Sequence, residues 1–268
     1  PELNGLVLVG REGVRGELLA LADQGFGGHG RLVFLGGEAG VGKSALTREL
    51  AGRVAGRAVV RWGGADNLTT AEPLAALVDA LPELDVAQQP ERLRLFRGVR
   101  ELLLTCSTLL VLEDLHWADE ATLDAVRFLG RRLAGLPVLI VVSFRHDEVT
   151  ARHPLSLVMG ELAAHPGVSR MAVPSLTVQG VAALITAAGA AVDAVALHQR
   201  TLGNAFYVTE VLTGGGDAVP ATVRDAVLAR VSQLSDGGAD VAAAAAILGT
   251  VVGVDLLAGV AGREVAAV

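Results

Sequence analysis

Short, mainly apolar runs alternate with amphipathic stretches between residues 12 and 173 of the chain. The apolar runs are typical of strands buried on both faces, and they occur at Arg31–Gly36, Ala58–Trp62, Thr108–Leu112, Pro137–Phe144 and Val168–Val173. Apolar residues at helical spacing predict helices over Glu12–Asp23, Leu46–Val54, Pro73–Leu81, Leu93–Leu104, Thr122–Leu133 and Pro154–Ala163. The glycines of Gly25–Gly30 predict a connector. Because strands and helices alternate, we predict the α/β fold class, with a parallel sheet covered by helices on both faces.

The pattern changes near Pro174, and from Thr177 onward helical stretches follow one another with little strand signal. They are Val178–Ala188 with Thr177 as its N-cap, a helix marked by Val223, Val227 and Val231, an alanine-rich helix from Ser235 to about Leu248, and Asp255–Ala261. The glycines Gly214–Gly216 suit a flexible turn. We predict an α/β domain over 1–174, a helical domain over 175–216 and the start of a further domain over 217–268. Because no closing element follows Ala261, we expect a piece of a longer protein.

Composition and charge narrow the class of protein. Hydrophobic residues make up 51% and charged residues 19% of the chain, which excludes a disordered protein. The net charge of −7 argues against a surface that binds nucleic acid directly. A single cysteine leaves no disulfide framework. With no signal-peptide pattern at the start and no run suited to a membrane span, we expect a cytoplasmic protein with no membrane partner.

A glycine-rich segment between the first predicted strand and the following helix carries the strongest chemical signal. Residues 37–44 spell GxxxxGKS, the P-loop or Walker A pattern, in its strand–helix context. Such a loop turns its backbone N–H groups toward phosphate oxygens, and the helix adds its positive end. Lys43 is the only lysine among 22 basic residues, so we expect it where a compact ammonium matters, at the β- and γ-phosphates. We assign nucleotide binding to Gly37, Glu38, Ala39, Gly40, Val41, Gly42, Lys43, Ser44 and Ala45, and a Mg²⁺ ligand to the Ser44 hydroxyl.

Two further strand ends supply candidate catalytic groups. The apolar run before Glu113 and Asp114 predicts a buried strand that delivers carboxylates to a site, the Walker B pattern when it follows a P-loop. Glu113 is expected to hold Mg²⁺ through its outer shell, and Asp114 to orient a water that faces the γ-phosphate. Arg145 follows the next strand, where it either senses the γ-phosphate or lies on the surface. His116 receives no catalytic role because no second histidine lies at metal-ligand spacing.

The number of lysines limits which nucleotide the P-loop can be expected to bind. A GTPase needs an Asn-Lys-x-Asp motif to recognise the base, and the only lysine already belongs to the P-loop. We therefore predict ATP and ADP, with Mg²⁺, as the cofactors.

Six sequence blocks along the chain together indicate a known protein family. They are Val9–Glu12 (VGRE), the P-loop, Leu110–Asp119 (LVLEDLHWAD), the strand before Arg145, Gly203–Leu212 (GNAFYVTEVL) and Val219–Ser235. In this order they resemble the ATPase part of the large ATP-binding LuxR-type transcriptional regulators, which belong to the STAND class of signalling NTPases. The resemblance implies an ATP-binding α/β domain, a helical domain and the start of a winged-helix-like domain. Full-length members continue into helical repeats and a C-terminal helix-turn-helix that binds DNA, which we expect to lie beyond residue 268.

The resemblance also implies two further site regions. Arg11, the arginine of VGRE, is expected near the nucleotide, and so is the segment Gly203–Ala205. Ala205 stands where the family has a proline, and Glu113 stands where an aspartate is commoner.

Three functions fit these observations. The first is a slowly hydrolysing nucleotide switch inside a transcription activator, in which ADP favours a closed form. An inducer, either a small molecule or a protein, and ATP would favour an open, self-associating form. The second is a working ATPase motor or loader, and the third is a P-loop small-molecule kinase. The helical region and the winged-helix-like start favour the switch.

Overall fold

The computed structural model describes residues 9–67, 72–84, 91–214, 220–232, 234–249 and 252–265. Contacts between Cα atoms divide the chain into two compact units, Pro1–Phe206 and Tyr207–Val268. In the described part of the chain, no helix combines the length and the apolar character needed to cross a membrane. The boundaries at residues 174 and 216, drawn from sequence character, stay predictions.

The first unit contains a sheet of five parallel strands. They are β1 (Arg31–Gly36), β2 (Val59–Gly64), β3 (Thr108–Glu113), β4 (Val138–Phe144) and β5 (Val168–Ala172), in the order β2-β3-β4-β1-β5. Each strand lies at one of the predicted apolar runs. Parallel strands end at the same edge of the sheet, so the loops after β1, β3 and β4 meet there.

The strands are apolar on both faces because both faces are covered. Alternate residues of a strand point to opposite faces, so Leu32 and Phe34 of β1 join one hydrophobic cluster while Val33 and Leu35 join the other. Helices α1 (Glu12–Phe26) and α2 (Lys43–Val54) pack into the second cluster. Helices α3 (Ala75–Ala80), α4 (Arg92–Leu104), α5 (Glu120–Gly130) and α6 (Pro154–Leu162) pack into the first. The predicted α/β class is confirmed.

Several element boundaries differ from the prediction, and two of the differences have an identifiable reason. Helix α1 continues to Phe26, so the prediction that Gly25 begins a connector is wrong. Gly25 is a buried helical residue, and a Cβ there would lie 2.5 Å from the backbone oxygen of Val138. Its role is the close approach of α1 to β4. Helix α5 begins earlier than predicted, because Asp119 accepts hydrogen bonds from the N–H groups of Ala121 and Thr122.

Helices α7 (Val178–Ala188) and α8 (Ala194–Thr201) complete the first unit, and α9 (Ala205–Thr213) begins at its end. The predicted N-cap of α7 is confirmed, since the Gly180 N–H donates to the Thr177 hydroxyl at 3.2 Å. The described residues of the second unit after α9 form α10 (Ala221–Val231), α11 (Asp236–Leu248) and α12 (Val254–Ala261). Ser235 caps α11 as predicted. The predicted turn at Gly214–Gly216 lies, apart from its first residue, outside the described residues.

Candidate functional site

The P-loop follows β1 and leads directly into α2. Gly40 and Gly42 have φ values of 77° and 106°, a backbone region that side chains disfavour. Space is also restricted at Gly40, where a Cβ would lie 2.8 Å from the Cβ of Phe206 and 2.9 Å from Oδ1 of Asn204. The loop therefore needs glycine at position 40 for both its conformation and its packing.

Lys43 is the first residue of α2, and only 7% of it is exposed. Its Nζ donates to the backbone oxygens of Gly37 at 2.8 Å and Glu38 at 2.9 Å, so the side chain lies back across the loop. Burial lowers the pKa of Lys43, while the carboxylate of Asp114 raises it. These bonds hold the ammonium at the centre of the loop, where a phosphate oxygen could take the place of a carbonyl.

A cavity of about 240 Å³ lies against the loop, lined by Ala39, Gly40, Gly42, Lys43, Ser44, Ala45, Asp114 and Arg145. The structure thus brings residues from three strand ends to one space, as parallel topology requires. Gly37, Glu38 and Val41 belong to the same loop but do not line the cavity.

Asp114 and Glu113 follow one another at the end of β3 but face different surroundings. Asp114 lines the cavity with φ 54°, a left-handed conformation that aspartate tolerates, and its N–H donates to Oγ of Ser143 at 3.1 Å. Burial raises the pKa of Asp114, and the charges of Arg145 and Lys43 act in the opposite direction. Glu113 instead accepts a hydrogen bond from Nε1 of Trp62 at 3.0 Å.

Arg145 begins the loop after β4, and its side chain is 24% exposed. Its Nη1 donates to Oε1 of Glu148 at 2.7 Å, and its guanidinium carbon lies 4.6 Å from the centroid of the Trp117 ring. The cation is therefore held at the cavity wall by an ion pair and a cation–π contact.

His116 is a residue whose position sequence reasoning missed. Its side chain is 1% exposed, with Nε2 3.4 Å from Oε2 of Glu148 and Nδ1 3.8 Å from Oδ1 of Asp114. Neither ring nitrogen has a hydrogen-bond partner among the described residues. Burial lowers the pKa of His116 to about 4, so the ring is neutral at pH 7. Its place in the LEDLHWAD block was the available signal, but its neighbour Glu148 comes from a different strand end.

Arg11 supports the P-loop from outside the cavity. It is 3% exposed, and it donates through Nη2 to the backbone oxygen of Val41 at 3.1 Å and through Nη1 to that of Ser175 at 3.4 Å. Burial lowers the pKa of Arg11, against the opposing charge of Glu12. The structure places this side chain on the backbone of the loop rather than in the cavity.

Residues 203–206, called here the 203–206 segment, also bind the P-loop. Nδ2 of Asn204 donates to the backbone oxygen of Ala39 at 2.9 Å, and the N–H of Phe206 donates to that of Gly40 at 2.9 Å. Gly203 has φ 69°, and a Cβ there would collide with the backbone oxygen of Leu176. The resemblance indicated this segment, but it did not single out Asn204, whose amide makes the contact.

The residues present fit a nucleotide with Mg²⁺. The cavity offers the turned backbone of the P-loop, an ammonium and a guanidinium, which suit phosphate oxygens. Ser44 brings a hydroxyl to the same wall, and Oε1 of Glu113 is buried with no hydrogen-bond partner among the described residues. Glu113 is not among the residues that line the cavity, so its carboxylate could reach the ion only through waters, several of which Mg²⁺ keeps when bound. Within the described residues, no three His, Cys, Asp or Glu side chains form a metal cluster of their own.

Two solved structures that match at TM-scores above 0.5 have the same fold. A STAND protein (signal transduction ATPase with numerous domains) with a tetratricopeptide repeat sensor, from Pyrococcus horikoshii, is similar at a TM-score of 0.53 and 15% identity. The match covers 88% of this chain and 34% of that one. Cdc6p from Pyrobaculum aerophilum matches at a TM-score of 0.51 and 19% identity, over 69% of this chain and 51% of that one. RuvB from Thermotoga maritima matches at a TM-score of 0.45 and 16% identity, over 96% and 83%.

This chain thus spans about a third of the STAND structure and half of the Cdc6p structure. No curated protein matches the sequence. The AAA ATPase domain family matches residues 7–141, which include the P-loop and the acidic pair at the end of β3 and stop before Arg145. This match covers half of the sequence, and the chain belongs to the AAA ATPase domain family.

Proposed function

We propose that this chain is the nucleotide switch of a STAND-class regulator of the LuxR type, which binds ATP with Mg²⁺ and hydrolyses it slowly. The observation that carries the proposal is the pair of hydrogen bonds from Asn204 and Phe206 to the P-loop. They join the loop that holds phosphates to the start of α9, which continues into the second unit. A change of nucleotide at the loop therefore has a direct route to the helical part of the chain.

Nucleotide binding rests on the P-loop side of the cavity. Lys43 neutralises the β- and γ-phosphates in place of its bonds to Gly37 and Glu38, and the Ser44 hydroxyl serves Mg²⁺. Bound Mg²⁺ neutralises charge that develops on the phosphates. Glu113 would hold the outer shell of that ion through the oxygen that has no hydrogen-bond partner among the described residues.

Hydrolysis rests on the lining residues that follow β3 and β4. Asp114 lines the cavity with a carboxylate whose pKa is raised by burial, which suits a group that orients a water and accepts its proton. Arg145 lies on the same wall and senses the γ-phosphate.

Slow turnover follows from the small number of arginine side chains at the cavity. Of the described residues that line the cavity, Arg145 is the one arginine, and an ion pair to Glu148 engages it. In related sites an arginine finger accelerates phosphoryl transfer by about 10³–10⁵. A switch benefits from this low rate because its ATP state then outlasts the binding event.

The remaining partners follow from the sequence blocks that resemble the LuxR-type regulators. We propose a cytoplasmic protein that self-associates in its ATP state under control of a small-molecule or protein inducer. DNA would be bound only through a helix-turn-helix outside residues 1–268, since this chain carries a net charge of −7.

The test is to identify the nucleotide that co-purifies with the chain and to measure single-turnover hydrolysis of labelled ATP. We expect tightly held ADP, a rate at or below about 10⁻² s⁻¹, and different proteolysis patterns with ATP and ADP. An empty site with turnover at roughly 1–100 s⁻¹ and identical digestion patterns would overturn the switch and favour a motor, loader or kinase.

A further inference from the structure

Arg145 is engaged by its own neighbours rather than directed freely into the cavity. Its Nη1 bonds to Glu148 at 2.7 Å, and the Trp117 ring lies 4.6 Å from its guanidinium carbon. The two side chains of the ion pair are 24% and 34% exposed, so water screens the pair less than it screens a surface pair. A ligand that recruits Arg145 must therefore compete with Glu148.

The contact with Trp117 does not compete in the same way. A guanidinium carries five N–H donors in its plane, and stacking on a ring leaves all of them available. Trp117 can thus support Arg145 whether its donors bond to Glu148 or to a phosphate. The ion pair is the contact that a phosphate would replace.

Glu148 also has a second neighbour to bond when Arg145 turns away. Its Oε2 lies 3.4 Å from Nε2 of His116, and that nitrogen has no hydrogen-bond partner among the described residues. Burial lowers the pKa of His116 to about 4, so the ring is neutral and one of its nitrogens carries a proton to donate. A small movement would bring Glu148 into a hydrogen bond with this ring.

We infer that Glu148 is a specificity-determining residue that holds Arg145 in the absence of a γ-phosphate and competes with that phosphate for its guanidinium. The inference rests on the proposed function, in which Arg145 senses the γ-phosphate. ADP lacks this phosphate and leaves the Arg145–Glu148 pair intact. ATP must break the pair, so Glu148 weakens the binding of ATP and leaves that of ADP unchanged.

This competition sets how strongly the switch distinguishes its two nucleotides. Coupling between a ligand and an element with two conformations typically changes the affinity of the ligand by a factor of about 5–150. Replacing the Glu148 carboxylate with a neutral amide of the same shape removes the competing charge and leaves Arg145 for the phosphate. We expect Glu148→Gln to tighten the binding of a γ-phosphate-bearing nucleotide about tenfold.

The experiment is calorimetric titration of the chain with ADP and with AMP-PNP, an ATP analogue that is not hydrolysed, at fixed Mg²⁺ and salt. Glu148→Gln is expected to increase the affinity for AMP-PNP about tenfold and to change the affinity for ADP less than about twofold. In an Arg145→Ala background, the same substitution is expected to change neither nucleotide. Glu161→Gln is the matched control, because Glu161 pairs with Arg127 and Arg131 away from the cavity.

Equal tightening of ADP and AMP-PNP, or tightening that persists with Arg145→Ala, would overturn the inference in favour of a general effect of charge. No change with Glu148→Gln would overturn it as well. Should Glu148→Gln fail to fold, Glu148→Asp keeps the charge but shortens its reach, and a smaller preferential gain for AMP-PNP is then required. The wild-type titration separates the two proposals, since failure to bind either nucleotide defeats the proposed function itself.

Discussion

The two sides of the cavity are built from different chemical groups. On the β1 side, backbone atoms of the P-loop enclose the space together with the ammonium of Lys43, which bonds to carbonyls of the same loop. Arg11, Asn204 and Phe206 fix the shape of that loop by bonding to its carbonyls. On the β3–β4 side, the charged side chains of Asp114 and Arg145 form the wall. The first side is a shape that many contacts must maintain together, whereas the second is a balance of charges that one proton or one ligand can change.

This difference separates the expected effects of substitution. Changes on the backbone side should affect ATP and ADP alike, because both nucleotides carry the phosphates that the loop surrounds. Changes on the charged side should alter turnover, pH dependence or the preference between nucleotides while the fold and basic binding persist.

Asp114→Asn should produce the largest effect, a fall in single-turnover hydrolysis of about 10²–10⁴-fold with ATP affinity preserved. The amide cannot accept a proton from water, although it fills the same space. The measurement is a single-turnover assay beside a binding titration. Asp124→Asn, on α5 and paired with Arg127, is the matched control and should hydrolyse normally. Normal turnover by Asp114→Asn would remove this carboxylate from the chemistry.

Lys43→Ala should abolish measurable ATP binding at ordinary concentrations without unfolding the chain. Loss of a charge-assisted contact to phosphate costs about 1.5–3 kcal/mol, and more when the loop loses its order. ADP should weaken together with ATP. Calorimetry and circular dichroism test this, with Arg48→Ala on the exposed face of the same helix as the control. A folded Lys43→Ala protein with wild-type affinity would contradict the assignment of the loop.

His116 should make the free energy of unfolding depend on pH. Burial lowers the pKa of this ring from 6.5 to about 4, so the unfolded chain takes up its proton first as the pH falls. The stability from His116 is present above pH 6.5 and is lost as the pH falls toward 4, by about 3 kcal/mol. Urea unfolding between pH 7.5 and 4.5 should show a shallower decline for His116→Gln than for the wild type. The exposed His146→Gln should behave as the wild type, and an unchanged slope for His116→Gln would refute the attribution.

Gly40→Ala should produce the smallest of these effects, a destabilisation of about 1–2 kcal/mol with weaker binding of both nucleotides. The new Cβ would adopt a disfavoured φ and press on Phe206 and Asn204. Gly52→Ala is the matched control, because a Cβ at this helical position meets nothing within 4 Å. It should stabilise α2 by about 0.5–1 kcal/mol. Urea unfolding of the two variants measures the difference, and equal stabilities would contradict the packing argument.

The strands and helices could be predicted from the sequence because their hydrophobic patterns are local. The same patterns predict that the ends of β1, β3 and β4 meet. An apolar run needs no knowledge of its neighbours to indicate a buried strand, and parallel topology then directs three loops to one edge. Gly25 shows where local reasoning fails. In a sequence, a glycine indicates either a turn or a place where two backbone segments approach closely. At Gly25, only the position of β4 shows that helix α1 continues past the glycine and packs against the strand.

The same limit applies to His116 and Asn204. The Glu148 neighbour of His116 follows a different strand, and the Ala39 partner of Asn204 lies 165 residues away in sequence. Neither partnership leaves a pattern in the chain, since each depends on how the loops at the sheet edge face one another. The residues that tune the site were thus harder to predict than the residues that form it.

The early position of β1 in the chain has a consequence for folding during synthesis on the ribosome. Arg31 of β1 pairs with Leu139 of β4, and Leu32 pairs with Val168 of β5, so the strand emerges long before either partner. At synthesis rates of about 5–20 residues per second, β1 waits roughly 5–20 s for β4. Throughout that interval an apolar strand with two unpaired edges is open to wrong partners. The nascent chain should therefore depend on chaperones most strongly before residue 172 leaves the exit tunnel.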